Sequence, residues 1–339
     1  MSYQKIKRKQ RTPAVVDEKF IKLANDFLES DYYKQNFEFE DDFKFEILST
    51  IRYDPSLYKK KLNSSEIKNA IKLFSRDTNI NSQYNNSIES TNASLIEHLL
   101  TVVSDPVSNL LDKSLFMLLD YHVNRLNVSA KFFKLDIEEI TTNDLLPKLT
   151  DCLTRSYNAI DLATRSLRIR LLLNRSGEVT IECYDTPERL FLFDGLVSES
   201  TPTWNAYIDT KPCPVSPFTS FKTTRRDHYT AARNRMLPMD SEMHVIPKNE
   251  VILFNPSNEL LEGSITNIAV LRDTEDGEGI KWVTPILATG CLCGVVRQFL
   301  IDNKLIFEKE NLKIDQLKKG EHVLLFNGLN GVIKAEIKW

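Results

Sequence analysis

The chain has 339 residues, of which 42% are hydrophobic and 27% charged, and a formal net charge of −3. That length exceeds what one hydrophobic core usually supports, so an ordinary globular protein of two domains is expected. The charge balance excludes a dedicated nucleic-acid binder, which would show a basic domain or stripe, and no apolar run is long enough to span a bilayer.

Met1 to Arg11 is basic (Lys5, Lys7, Arg8, Lys9, Arg11) but has no apolar core of the kind a secretory signal needs. Residues 1–30 are therefore expected to be a flexible basic tail and a first helix. An α/β domain is expected over 31–197. Phe43 to Tyr53 alternates as a strand, and Asn79 to Ser94 is an Asn/Ser-rich polar insertion. Leu115 to Lys131 sets Leu115, Leu118, Leu119, His122, Leu126 and Ser129 at helical spacing. Leu167 to Glu182 predicts a hairpin turning at Asn174-Arg-Ser-Gly177. Four prolines with little periodicity between Ser198 and Pro217 suggest a linker, and a second domain is expected over 218–339.

Five scattered cysteines without a secretory signal suggest reduced thiols in a cytoplasmic protein. Cys291-x-Cys293 lacks the second pair or histidine that a metal site needs, and no metal is expected. All ten glycines lie at or after Gly177. Glycine lets backbone approach a ligand closely, so binding loops are expected in the second half.

Several segments can carry chemistry, although each is weak alone. Lys222 in Phe218-Thr-Ser-Phe-Lys-Thr-Thr-Arg-Arg stands between an apolar stretch and a helix-like run. A Schiff-base lysine needs a neutral amine, which burial and the cations Arg225 and Arg226 favour; a lone lysine at a helix start is more often solvated. Glu262, in Leu261-Glu-Gly-Ser-Ile-Thr-Asn, sits at a turn entering a strand and must be paired if buried. Gly294-Val295-Val296-Arg297 opens a helix, whose free N–H groups suit a phosphate. Asn327-Gly328 ends a strand and offers another wall. On the helix of the first half, His122 and Arg125 lie one turn apart, and an arginine fork is the usual phosphate partner.

In this order and spacing, the lysine, Glu262-Gly-Ser-Ile-Thr-Asn267 and Thr284-Pro…Gly290-Cys-Leu-Cys-Gly294-Val-Val-Arg297 resemble the fold-type IV pyridoxal-phosphate enzymes. That family holds branched-chain aminotransferases, D-amino-acid aminotransferases and aminodeoxychorismate lyases. The resemblance runs from Phe45 to the C-terminus, broken over 54–115, and is strong from Phe218 to Gly331. Phe218-Thr-Ser-Phe-Lys-Thr-Thr, Asp227-His-Tyr and Leu324-Leu-Phe-Asn-Gly are most similar to the fungal lyases.

The resemblance implies a two-domain α/β (α+β) fold, an N-terminal α/β domain and a C-terminal pseudo-barrel, with the site between them. It implies pyridoxal 5′-phosphate held by Lys222, which also acts as acid and base, and Glu262 at the ring nitrogen. Arg125 and the N–H groups of Val295 and Val296 would bind the phosphate, with Asn327 nearby. Arg226 matches an arginine of the lyases, Arg170 is a second candidate for a substrate carboxylate, and Thr50 matches a threonine near the leaving group. The implied reaction takes the small molecule aminodeoxychorismate to 4-aminobenzoate and pyruvate. An aminotransferase on the same scaffold and a cofactor-free binding module are the competing readings. Family members are commonly homodimers, but the polar insertion leaves homodimer or monomer open.

Overall fold

The computed structural model describes residues 44–55, 112–189, 192–196, 202–237, 248–274 and 279–338. The basic tail and the polar insertion expected near 79–94 lie outside them.

A small antiparallel sheet has the order β1-β2-β3, with β1 Ile47–Tyr53, β2 Leu167–Leu173 and β3 Val179–Asp185. The hairpin of β2 and β3 turns where expected, and Gly177 supplies the positive φ of +81°. β1 begins at Ile47 rather than Phe43. Six of its seven residues are buried, so it is covered on both faces.

Helices α1 (Leu119–Phe132), α2 (Thr142–Ser156) and α3 (Ala159–Thr164) complete this half. The helix expected from Leu115 begins at Leu119 instead. Leu118 takes a left-handed φ of 53°, and residues 113–115 form a separate 3-10 turn. Helical spacing alone could not show that break. Thr141 and Asp144 form a capping box that starts α2. The helix then lays Leu145, Leu149 and Leu153 into one core with Ile51, Leu167, Ile169 and Leu171.

The second half is an eight-stranded mixed sheet ordered β6-β5-β4-β11-β10-β7-β8-β9. Its strands are β4 Trp204–Ile208, β5 Asn249–Phe254, β6 Leu260–Gly263, β7 Asn267–Thr274, β8 Gly279–Pro285, β9 Phe307–Lys309, β10 His322–Asn327 and β11 Gly331–Lys338. The stretch 198–217, expected to be a linker, instead contains β4, which lies parallel between β11 and β5. Five residues flanked by prolines are too short to reveal a period. Residues 192–196 also join this half, since Val332 N–H donates to the Leu192 carbonyl at 2.6 Å. Helices α4 (Pro217–Ser220), α5 (Asp227–Met236) and α6 (Val295–Asp302) flank the sheet. No helix among the described residues is long and apolar enough to cross a membrane.

Leu149 is fully buried. Leu149→Ala should cost about 2–5 kcal/mol, seen as a lower urea midpoint at unchanged slope. An unchanged midpoint would mean that α2 is not packed on this core.

Candidate active site

A cavity of about 540 Å³ opens between the two halves, within the usual range for small-molecule sites. Five basic side chains line it (Arg125, Arg168, Arg170, Lys222 and Arg226) together with one carboxylate, Glu262.

Lys222 sits in the extended segment between α4 and α5. Its backbone is fixed by the other half of the molecule: Leu48 N–H donates to the Lys222 carbonyl at 2.8 Å and Thr224 N–H to the Glu46 carbonyl at 2.9 Å. The side chain is left to the cavity. Burial pushes its amine down to about 7, the positive charges of Arg226 and Arg125 push the same way, and Glu262 opposes them.

Glu262 lies at the end of β6, a strand with every residue buried, rather than in the turn that the sequence suggested. Its carboxylate meets three donors. Tyr229 Oη donates to Oε1 at 2.5 Å, while Asn267 Nδ2 and Leu292 N–H each donate to Oε2 at 3.2 Å. Burial nevertheless pushes the Glu262 carboxyl up to about 8, against those bonds and the charges of Lys222 and Arg226. Burial thus pushes both the carboxyl and the amine toward their neutral forms.

A second buried carboxylate shapes this wall. Glu250 accepts from Ser264 N–H and Oγ at 3.0 and 2.5 Å, from Ile265 N–H at 3.2 Å and from Thr266 Oγ1 at 2.7 Å. It thereby ties down the turn between β6 and β7. Gly263 is required there, because a Cβ would come within 2.7 Å of the Glu250 carboxylate.

Beside Asn267, Gly294 caps α6, and helix geometry leaves the N–H groups of Val295 and Val296 without intrahelical acceptors. Val295 lines the cavity, whereas the Val296 side chain is fully buried. Arg125 enters from α1, and its Nη2 donates to Ser49 Oγ at 3.1 Å. Burial lowers its guanidinium to about 10, still cationic at neutral pH.

The remaining expected residues are present with divided duties. Arg226 Nη2 donates to the Ser264 carbonyl at 2.7 Å, and its guanidinium lies 4.7 Å from the Tyr229 ring centroid. Arg170 pairs with Glu182 at 2.9 Å, directly across β1 and β2 from Thr50. Asn327 is a turn residue: its Oδ1 accepts from Leu329 and Asn330 N–H, and its Nδ2 donates to the Ile265 carbonyl at 3.0 Å. Sequence reasoning missed Tyr229, Asn267, Glu250, Ser49 and Arg168. Arg168 is two residues before Arg170 on the same strand, and that i, i+2 spacing was the one available signal.

Comparison with known proteins identifies the family. The model of the class IV amino-transferase family matches residues 109–336. The chain belongs to that family. It is 31% identical to the aminodeoxychorismate lyase of Saccharomyces cerevisiae over 350 aligned positions, 87% of this chain and 93% of that protein. It is 28% identical over 238 positions to a candidate aminodeoxychorismate lyase of Schizosaccharomyces pombe, 67% of this chain and 89% of that one. The fold is shared with a solved candidate amino-acid aminotransferase from Mesorhizobium loti, with a TM-score of 0.51 and 22% identity, covering 87% of this chain and all of that one.

Because its amine is depressed to about 7, Lys222 should react with an amine-selective reagent through a pH midpoint near 7. Solvated lysines should react with a midpoint near about 10.4. Mass spectrometry of labelled peptides checks this, and a Lys222 midpoint near the ordinary value would contradict the burial described here.

Proposed function

We propose that the chain is a pyridoxal-phosphate-dependent lyase that converts 4-amino-4-deoxychorismate to 4-aminobenzoate and pyruvate, a step of folate synthesis. The observation that carries this reading is Lys222 and Glu262 sharing one cavity whose other charged walls are all arginine. The similarity to the Saccharomyces cerevisiae lyase over nearly the whole chain supports the specific activity.

The residues fit the cofactor. A buried amine of depressed basicity suits a carbonyl, and a carboxylate already bonded by Tyr229, Asn267 and Leu292 suits a ring nitrogen. Gly294 leaves no Cβ at the start of α6; one there would meet Asn267 Oδ1 at 1.9 Å. Lys222 would hold the cofactor covalently, Glu262 would face its ring nitrogen, and Arg125 with the Val295 and Val296 N–H groups would take its phosphate. Asn327 shapes the neighbouring turn. Bound there, the cofactor supplies an electron sink for the carbon bearing the substrate's amine.

The chain's own residues do the rest. Lys222 Nζ would take the proton from that ring carbon and pass it to the departing enolpyruvyl oxygen. Arg226 and Arg170 meet the substrate's carboxylates with the parts of their forks that Ser264 and Glu182 leave free. Thr50, on the same wall, would relay that proton where Lys222 does not deliver it directly. Aromatisation of the ring drives the elimination, and the protein contributes position and charge.

Purified protein incubated with pyridoxal phosphate and aminodeoxychorismate should release 4-aminobenzoate, followed by its fluorescence, and an equal amount of pyruvate. Transfer of the amino group to a keto acid without pyruvate release would identify an aminotransferase instead. Lys222→Ala should abolish both turnover and the visible absorbance of bound cofactor, and retained turnover would overturn the assignment. Arg226→Gln should raise KM by about tenfold or more with a smaller change in kcat, the pattern of lost ground-state binding.

A further inference from the structure

Arg125 reaches the cavity from α1, and a side chain behind it is arranged in an unusual way. Ser49, on β1, is fully buried and touches two groups at once: Arg125 Nη2 at 3.1 Å and His122 Nδ1 at 2.7 Å. A guanidinium can only donate, so Ser49 Oγ accepts from Arg125. The hydroxyl's single proton is then free for the imidazole, and His122 Nδ1 accepts it. This assigns the histidine's own proton to Nε2. With that tautomer, each donor from Arg125 through Ser49 to His122 meets an acceptor.

The other side of the ring shows that this arrangement is not simply good packing. His122 is fully buried, and its Nε2 has no hydrogen-bond partner among the described residues. It lies against the turn after β10, where a Cβ on Gly328 would come within 3.0 Å of Nε2. Leaving a polar nitrogen unpaired in the interior is unfavourable, and an apolar ring would fill the space without that cost. Only Nδ1 gives a reason for a histidine here. Burial and the charges of Arg125 and Lys222 hold the imidazole neutral, as an acceptor must be.

We infer that Ser49 and His122 are positioning residues that fix the rotamer of Arg125 so that its guanidinium meets the phosphate of the bound cofactor. Neither lines the cavity, and both act through Arg125. Such outer partners fix a binding group's orientation before the ligand arrives, which lowers the ordering cost of binding. The inference rests on the cofactor assignment above.

The test measures the affinities of the full-length apo-protein for pyridoxal 5′-phosphate and for pyridoxal, by absorbance titration, with thermal unfolding alongside. Ser49→Ala should weaken pyridoxal phosphate about tenfold or more, the value of one hydrogen bond to a charged group, and leave pyridoxal unchanged. His122→Leu should do the same. His122→Asn, whose amide oxygen can stand in for Nδ1, should recover most of the affinity. Equal weakening of both ligands, or of neither, would overturn the inference and leave the cofactor assignment standing. Failure of the wild-type chain to bind pyridoxal phosphate would overturn both.

Discussion

The backbone seam between β1 and the segment carrying Lys222 is the interaction on which the site depends. Leu48 and Thr224 each donate one main-chain hydrogen bond across it, and Glu46 N–H adds a third to Thr224 Oγ1 at 3.0 Å. Main-chain bonds buried between two domains are costly to break, since each exposes a donor or acceptor with no replacement. The seam therefore holds Lys222 by its backbone and frees the side chain for chemistry. It also brings Thr50, and Arg168 and Arg170 of β2, to the same cavity, because strand register carries them there once Leu48 is fixed.

Electrostatics then sets the character of that cavity. Arg125 and the open start of α6 contribute positive walls. Glu262 is its one carboxylate, held by three donors beside the turn that Glu250 ties down. The Lys222 amine is depressed because burial and the two arginines outweigh the one carboxylate. The same arginines that help burial lower the Lys222 amine would also suit a substrate with more than one carboxylate.

Much of this was legible in the sequence, for reasons that differ by residue. Lys222, Glu262 and Gly294 are spaced in recognisable motifs, and all three line the cavity. Arg125 was readable from its helical offset to His122. The serine between them was not, because β1 and α1 are separated by more than sixty residues and nothing local links Ser49 to Arg125. Tyr229 was hidden for a similar reason: the short α5 turns it onto Glu262, thirty-three positions away. Asn327 shows the opposite case. It lines the cavity, but its amide is used by the turn it starts, as asparagine commonly is. β4 was missed because five residues between prolines carry no readable period.

The central claim is that one lysine, positioned by a seam between domains, holds the cofactor. The direct measurement is borohydride reduction of the protein loaded with pyridoxal phosphate, followed by peptide mapping of the reduced adduct. The account predicts one adduct per chain, on Lys222. An adduct on a different lysine, or one spread over many, would contradict it.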